Sequence, residues 1–245
     1  MKEIISRIGF NHSIKNAVSA FSVKGKYMEQ QTVSIPVNGI SVQGDLMLCT
    51  PCDELVIFAH GSGSSRKSSR NRSVAATLNK AGISTLLFDL LTEEEAGSIP
   101  NRFNIPKLSR RLVAVTNWLS QHKATKNTRM GYFGASTGAA AALAASLACK
   151  QIKTIVSRGG RPDLLSSELN RIRIPVLLIV GQNDPDVLTM NQHAMEKLNG
   201  KKELIVVPGA THLFEEKGAM EQVALSAARW FNKHLKAEKR VIHYE

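Results

Sequence analysis

Three residue types that can share a proton occur in the order serine, aspartate, histidine. Ser136 lies in Gly134-Ala135-Ser136-Thr137-Gly138, Asp184 in Gly181-Gln182-Asn183-Asp184, and His212 in Pro208-Gly209-Ala210-Thr211-His212. A serine hydroxyl is a weak nucleophile at neutral pH and needs a base to take its proton. Histidine titrates near that pH, and a carboxylate holds the imidazole in one tautomer and stabilises the imidazolium. The chemistry such a set can do is acyl transfer. Asp186 shares the loop with Asp184. Asp184 sits three residues after Gly181, just past a strand-like run, and Pro185 then fixes the backbone, which favours it as the acid; Asp186 is placed to cap the next helix.

The flanks of Ser136 give the pattern context. An apolar run from Arg129 leads into G-x-S-x-G, and an alanine-rich run follows at once, which reads as strand, sharp turn and helix. On such a turn the glycines let strand and helix approach closely, and the serine Oγ is left exposed. The N–H of Thr137, opening a helix, can face a developing oxyanion. His60-Gly61-Ser62-Gly63 ends another strand-like run and can offer a second donor, the Ser62 N–H, while His60 holds the loop. This stretch completes neither G-x-G-x-x-G nor G-x-x-x-x-G-K-[ST], so it does not read as a phosphate loop. No histidine and carboxylate spacing suggests a metal site, and no cofactor is called for.

These residues need a scaffold that brings strand ends together. Leu55 to Ala59, Ser84 to Asp89, Ile152 to Val156, Pro175 to Val180 and Glu203 to Val207 are short apolar runs. Helix-like segments separate them: Asn71 to Lys80, Ile105 to His122, the run after Ser136, Leu188 to Leu198 and Gly218 to Leu235. Alternation of this kind predicts a mostly parallel central sheet with helices on both faces. Thr32 to Val37 and Ile40 to Leu48 alternate apolar and polar residues around Asn38-Gly39, which predicts an antiparallel hairpin at the start of the core. The stretch with Glu93, Glu94 and Glu95 reads as a loop. The segment between Val156 and Pro175 is too short for a large cap domain.

The chain has 245 residues, 43% of them hydrophobic, enough for one core. Residues 1–30 read as an N-terminal extension without the apolar core of a signal peptide, and residues 31–245 as a single domain. No run reaches the length of a membrane span. Three cysteines make no disulfide framework and fit a reducing cytoplasm. Cys49-Thr50-Pro51-Cys52 is a C-x-x-C at a turn between strands, readable as a redox pair, as half a zinc site whose second pair does not follow, or as ordinary turn residues.

The formal net charge is +12, from 32 basic and 20 acidic residues. Charge alone gives non-specific affinity for nucleic acid, and only 5% of residues are aromatic, with no nucleic-acid-binding pattern. The expectation is therefore no specific nucleic acid and no membrane. Arg66, Lys67, Arg70 and Arg72 follow the His60 loop, and Arg158 and Arg161 follow another strand. They read either as a solvated basic face or as a rim that attracts an anionic substrate, with Arg158 or Arg161 as its binding residue.

Together the HGSGS loop at His60, the GASTG turn at Ser136, the GQND loop at Asp184 and the PGATHLFEE loop at His212 resemble the α/β-hydrolases. The likeness is to the small, cap-less, dienelactone-hydrolase-like branch, and it covers about residues 32–235. The resemblance implies nucleophile, acid and base roles for Ser136, Asp184 and His212, and no cofactor. Dienelactone hydrolases proper use a cysteine where this chain has Ser136, which favours a general serine esterase acting on a small or accessible ester. Thioester or amide cleavage on the same triad, and a non-catalytic binding protein, are the rival readings.

Overall fold

The computed structural model describes residues 18–23, 26–51, 53–165 and 167–236. Nine strands form one sheet: β1 (Val18–Val23), β2 (Lys26–Val37), β3 (Ile40–Thr50), β4 (Glu54–Ala59), β5 (Ser84–Phe88), β6 (Arg129–Ala135), β7 (Ile152–Arg158), β8 (Val176–Gly181) and β9 (Lys202–Val207). Their order across the sheet is β1-β2-β3-β5-β4-β6-β7-β8-β9. The β1/β2, β2/β3 and β3/β5 pairs are antiparallel, and every pair from β5 onward is parallel. The expected hairpin is present, with Asn38 and Gly39 at φ 48° and 84° and Val37 paired with Ile40. A two-residue turn with both φ positive matches the twist of the strands it joins.

The sheet begins earlier than residue 31. β1 and the first part of β2 lie within the stretch read as an extension, and they form the outer edge of the sheet. Residues 1–17, 24 and 25 lie outside the described residues, as does Cys52 of the C-x-x-C. Cys49 is fully buried on β3, with its Sγ 3.6 Å from the Ile83 carbonyl.

The alternation of side chains along each strand splits the core in two. On β4, Leu55, Ile57 and Ala59 face one cluster, and Val56 and Phe58 face the other. The first cluster is closed by α4 (Ile105–Gln121), α5 (Thr137–Ser146) and α6 (Pro185–Lys197). The second is closed by α1 (Ser69–Lys80) and α7 (Ala219–Leu235). Leu108, Leu112, Val115 and Leu119 recur at helical spacing on α4 and are all buried. Burying each such leucine stabilises by about 2 kcal/mol. Among the described residues, no helix is long and apolar enough to cross a membrane.

The acidic stretch expected to be a loop forms two short helices, α2 (Glu93–Ala96) and α3 (Ile99–Phe103). Thr92 and Glu95 make a reciprocal capping box that starts α2. Glu95 also accepts hydrogen bonds from Arg111 on α4, at 2.6 and 3.1 Å, and lies 2.8 Å from the Lys107 ammonium. The Arg111 bonds, more than any other cause, hold its carboxyl at a pKa of about 2. This clamp fixes α2 to α4 beside the carboxyl ends of β4 and β5.

Candidate active site

β4 is where the chain reverses direction across the sheet: β5 lies on one side of it and β6 on the other. In open parallel sheets the crevice at such a switch point, at the carboxyl ends of the strands, is where ligands bind. The loops after β4 and β6 carry the HGSG stretch and Ser136.

Ser136 sits between β6 and α5 at φ 51°, ψ −121°. A non-glycine residue at positive φ is strained, and surrounding contacts must hold it there. The Ser136 N–H donates to the Arg158 carbonyl at 3.1 Å, and the Ser136 carbonyl accepts the Ala139 and Arg161 N–H groups at 3.0 and 3.2 Å. Both flanking glycines are required by close approach. A Cβ on Gly134 would lie 2.4 Å from Ala139 Cα, and one on Gly138 would lie 2.2 Å from the Ala59 carbonyl oxygen. These contacts press α5 against β4 and β6 and fix Ser136 at the turn between β6 and α5.

Asp184 caps the start of α6 in sequence position, but its side chain makes no capping bond. It instead accepts from His212, with Nδ1 2.6 Å from Oδ2. Donation of the Nδ1 proton to the carboxylate leaves Nε2 with its lone pair free to act as a base. Asp186, the other candidate acid, lies exposed in the first turn of α6. Gly159, at φ 51°, lies beside the imidazole: a Cβ there would come 3.5 Å from His212 Cε1 and Nδ1. β7 therefore ends against both the candidate nucleophile and the candidate base.

The two expected oxyanion donors differ. Among the described residues the Thr137 N–H has no acceptor. The Ser62 N–H does have one: it donates to Thr137 Oγ1 at 2.9 Å. His60 holds its loop as expected. Its Nδ1 lies 2.9 Å from the Gly61 carbonyl, and its Nε2 accepts the Leu90 N–H at 3.0 Å, which fixes the neutral Nδ1–H tautomer. Burial pushes its pKa below the ordinary histidine value.

The arginines expected at the rim are engaged elsewhere. Arg158 is buried with its guanidinium over the Phe214 ring, 5.7 Å from the centroid. Burial, and then the nearby Arg70 charge, lower its pKa to about 10, so it remains a cation at neutral pH. Arg161 is held by both oxygens of Asp163, at 2.8 and 2.7 Å. Arg66 pairs with Asp89 and Asp45, Arg72 with Asp45, and Arg70 with Glu215. A sequence carries no mark of these pairings, because each partner comes from a distant segment or a turn.

A cleft of about 360 Å³ opens beside the Ser62 loop and reaches Thr137. Its walls include Leu90, Leu91, Ala96 and Leu108, and besides Arg66, which is paired with Asp89 and Asp45, it carries two further cations, Lys67 and Arg102. Arg102 on α3 donates through Nε to the Ala96 carbonyl at 2.6 Å. Its Nη1 stands 4.0 Å from where a Cβ on Gly63 would be. Neither Lys67 nor Arg102 has an ion-pair partner among the described residues. Arg102 lies in the stretch read as a loop and belongs to no motif, so nothing in the sequence singled it out.

The architecture and the crevice are those of an α/β-hydrolase. The family model for an alpha/beta hydrolase domain matches residues 52–234, and the chain belongs to that family. Within it the chain is a dienelactone-hydrolase-like protein. It is 46% identical to a dienelactone hydrolase from Anabaena variabilis, covering 85% of this chain and 99% of that one, with a TM-score of 0.82. Est1E from Butyrivibrio proteoclasticus shares the fold at 16% identity, over 82% of this chain and 98% of that one, with a TM-score of 0.71. Two Mycobacterium tuberculosis proteins, each provisionally named a phosphoribosyl transferase, are 49% identical over 209 residues. That match takes in 85% of this chain and 47% of each relative, so the chain spans about half the length of these proteins.

Proposed function

We propose that the protein is a serine hydrolase that cleaves a small or accessible carboxylic ester through an acyl-enzyme. The observation that carries this reading is the bond from His212 to Asp184 in a chain whose Ser136 stands at a strained strand-to-helix turn. Ser136 Oγ attacks the acyl carbonyl as His212 Nε2 takes its proton, and the carbonyl π electrons move onto oxygen. The tetrahedral intermediate collapses, the C–O bond breaks, and the leaving alkoxide takes the proton back from His212. Water then repeats the sequence, releases the acid and restores Ser136. Asp184 holds the imidazole tautomer throughout.

The ester is anionic on this reading. The cations available to it are Arg102 and Lys67 in the cleft, in place of the expected Arg158 and Arg161. The mycobacterial relatives carry a provisional transferase name, and this chain matches only 47% of the length of each. Thioester cleavage is the nearest alternative, since the same triad serves it.

The test is a panel of p-nitrophenyl acetate, p-nitrophenyl hydrogen succinate, an acetyl thioester and an anilide, with Ser136→Ala as control. The reading expects oxyester turnover that Ser136→Ala abolishes, and a higher kcat/KM for the succinate that Arg102→Gln removes. Turnover of the thioester alone moves the assignment to a thioesterase. No turnover of any member by folded protein contradicts the proposal.

A further inference from the structure

The bond from the Ser62 N–H to Thr137 Oγ1 changes what the oxyanion site can be. Two backbone donors, from Ser62 and Thr137, are the expected arrangement, but the first is directed at a side-chain oxygen. That oxygen belongs to the residue whose own N–H has no acceptor among the described residues. Thr137 is buried, with 1% of its surface exposed, so its hydroxyl sits in a fixed environment at the inner wall of the cleft. A hydroxyl has one proton to donate and two lone pairs to accept with. Here the Ser62 N–H takes a lone pair, and among the described residues the hydroxyl proton has no acceptor.

We infer that the Thr137 hydroxyl is itself an oxyanion donor and that the Ser62 N–H acts through it, by polarising the hydroxyl instead of touching the substrate. The inference rests on the acyl-transfer reading of Ser136. In it, Thr137 contributes two hydrogen bonds to the carbonyl oxygen, one from N–H and one from Oγ–H. As the Ser136 Oγ–C bond forms and the carbonyl π pair moves onto oxygen, both bonds strengthen and neither proton is transferred. Donation into a hydroxyl raises its own donor strength, because hydrogen bonds in a chain polarise one another. The hydroxyl is held from two directions: its backbone is fixed at the first position of α5, and Ser62 is fixed through the His60 loop. A donor held in place before charge develops needs no reorganisation at the moment of reaction.

The opposite reading is that Thr137 Oγ1 only fills the place of the oxyanion and is displaced by it, with Ser62 N–H then free to bind substrate directly. The two differ in sign when the hydroxyl is removed. Thr137→Val keeps the shape and frees the Ser62 N–H, so the displacement reading expects an equal or faster enzyme. The donor reading expects a loss in kcat on the order of 100-fold, the usual size for one oxyanion donor, with KM little changed.

The experiment measures kcat and KM on p-nitrophenyl acetate for the wild type and for Thr137→Val, Thr137→Ala and Thr137→Ser, with melting temperatures alongside. The rate of Ser136 acylation by a fluorophosphonate is read on the same samples. The inference expects Thr137→Val and Thr137→Ala to be slow in both assays and Thr137→Ser to recover the larger part of the rate. Thr137→Ala serves if Thr137→Val fails to fold. Wild-type rates in the folded valine or alanine variant overturn the inference and leave the hydrolase assignment standing. Absence of Ser136 acylation in the wild type overturns both.

Discussion

Gly138→Ala tests whether close approach of α5 to β4 is what builds the site. An alanine Cβ at this position would lie 2.2 Å from the Ala59 oxygen and 2.4 Å from the His60 oxygen. Carbon and oxygen that touch across such an interface stand about 3.3 Å apart, so the start of α5 must move off β4 by about 1 Å. Both obstacles are backbone, which no rotamer change can relieve. Overpacking of this kind costs about 1–3 kcal/mol, against which the better helix propensity of alanine returns at most about 1 kcal/mol. For a chain of this length each kcal/mol lowers Tm by roughly 2–4 °C. The functional effect exceeds the loss of stability, because the same movement displaces the Thr137 N–H and Ser136 Oγ from the carbonyl they would meet. A misplacement of about 1 Å can cost about 100-fold in rate. The assay pairs thermal unfolding with the rate of Ser136 acylation and compares Gly138→Ala with Gly97→Ala, where the nearest atom to the new Cβ is the Glu94 oxygen at 3.2 Å. Gly138→Ala with the Tm and acylation rate of Gly97→Ala would show that close approach of α5 to β4 does not build the site.

Asp184→Asn should lower kcat by about 10⁴-fold, the size seen in a serine protease when the tautomer-fixing carboxylate is lost, whereas Asp186→Asn should leave the rate near that of the wild type; a steady-state assay of both decides which aspartate acts. His60 makes stability fall with acid. Its folded pKa lies below its unfolded value of 6.5, so its contribution is present above about pH 6.5 and is lost as pH falls through the folded value. His122 and His234 are also lowered and act in the same direction. Tm measured from neutral pH into the acid range should therefore drop, with a shallower slope in His60→Asn; an unchanged slope would show that the imidazole is not held neutral.

The parts of the fold that follow from local pattern were legible. β4 and β8 are continuous apolar runs because both of their faces are buried, and the Asn38-Gly39 turn specifies its own geometry. The Ser136 turn was legible because glycines at 134 and 138 are forced by backbone contact, a requirement that shows in residue type. β1 and the start of β2 were not, since an edge strand of mixed polarity resembles a loosely held extension. α2 and α3 were missed because Glu93 to Ala96 has no apolar face, although Thr92 and Glu95 had the spacing of a capping box. Arg158 lies buried over the Phe214 ring, and the Ser62 N–H is engaged by Thr137. Both contacts are made only when distant strand ends meet, so the rim cations and the second oxyanion donor were the readings most changed by the structure.

The proposed hydrolysis requires Ser136 to be an activated nucleophile. Incubation with a fluorophosphonate, followed by peptide mass spectrometry, reads this directly. The account predicts a single phosphonylated peptide modified at Ser136, absent in Ser136→Ala and strongly slowed in Asp184→Asn. Folded wild-type protein with Ser136 unmodified would contradict it.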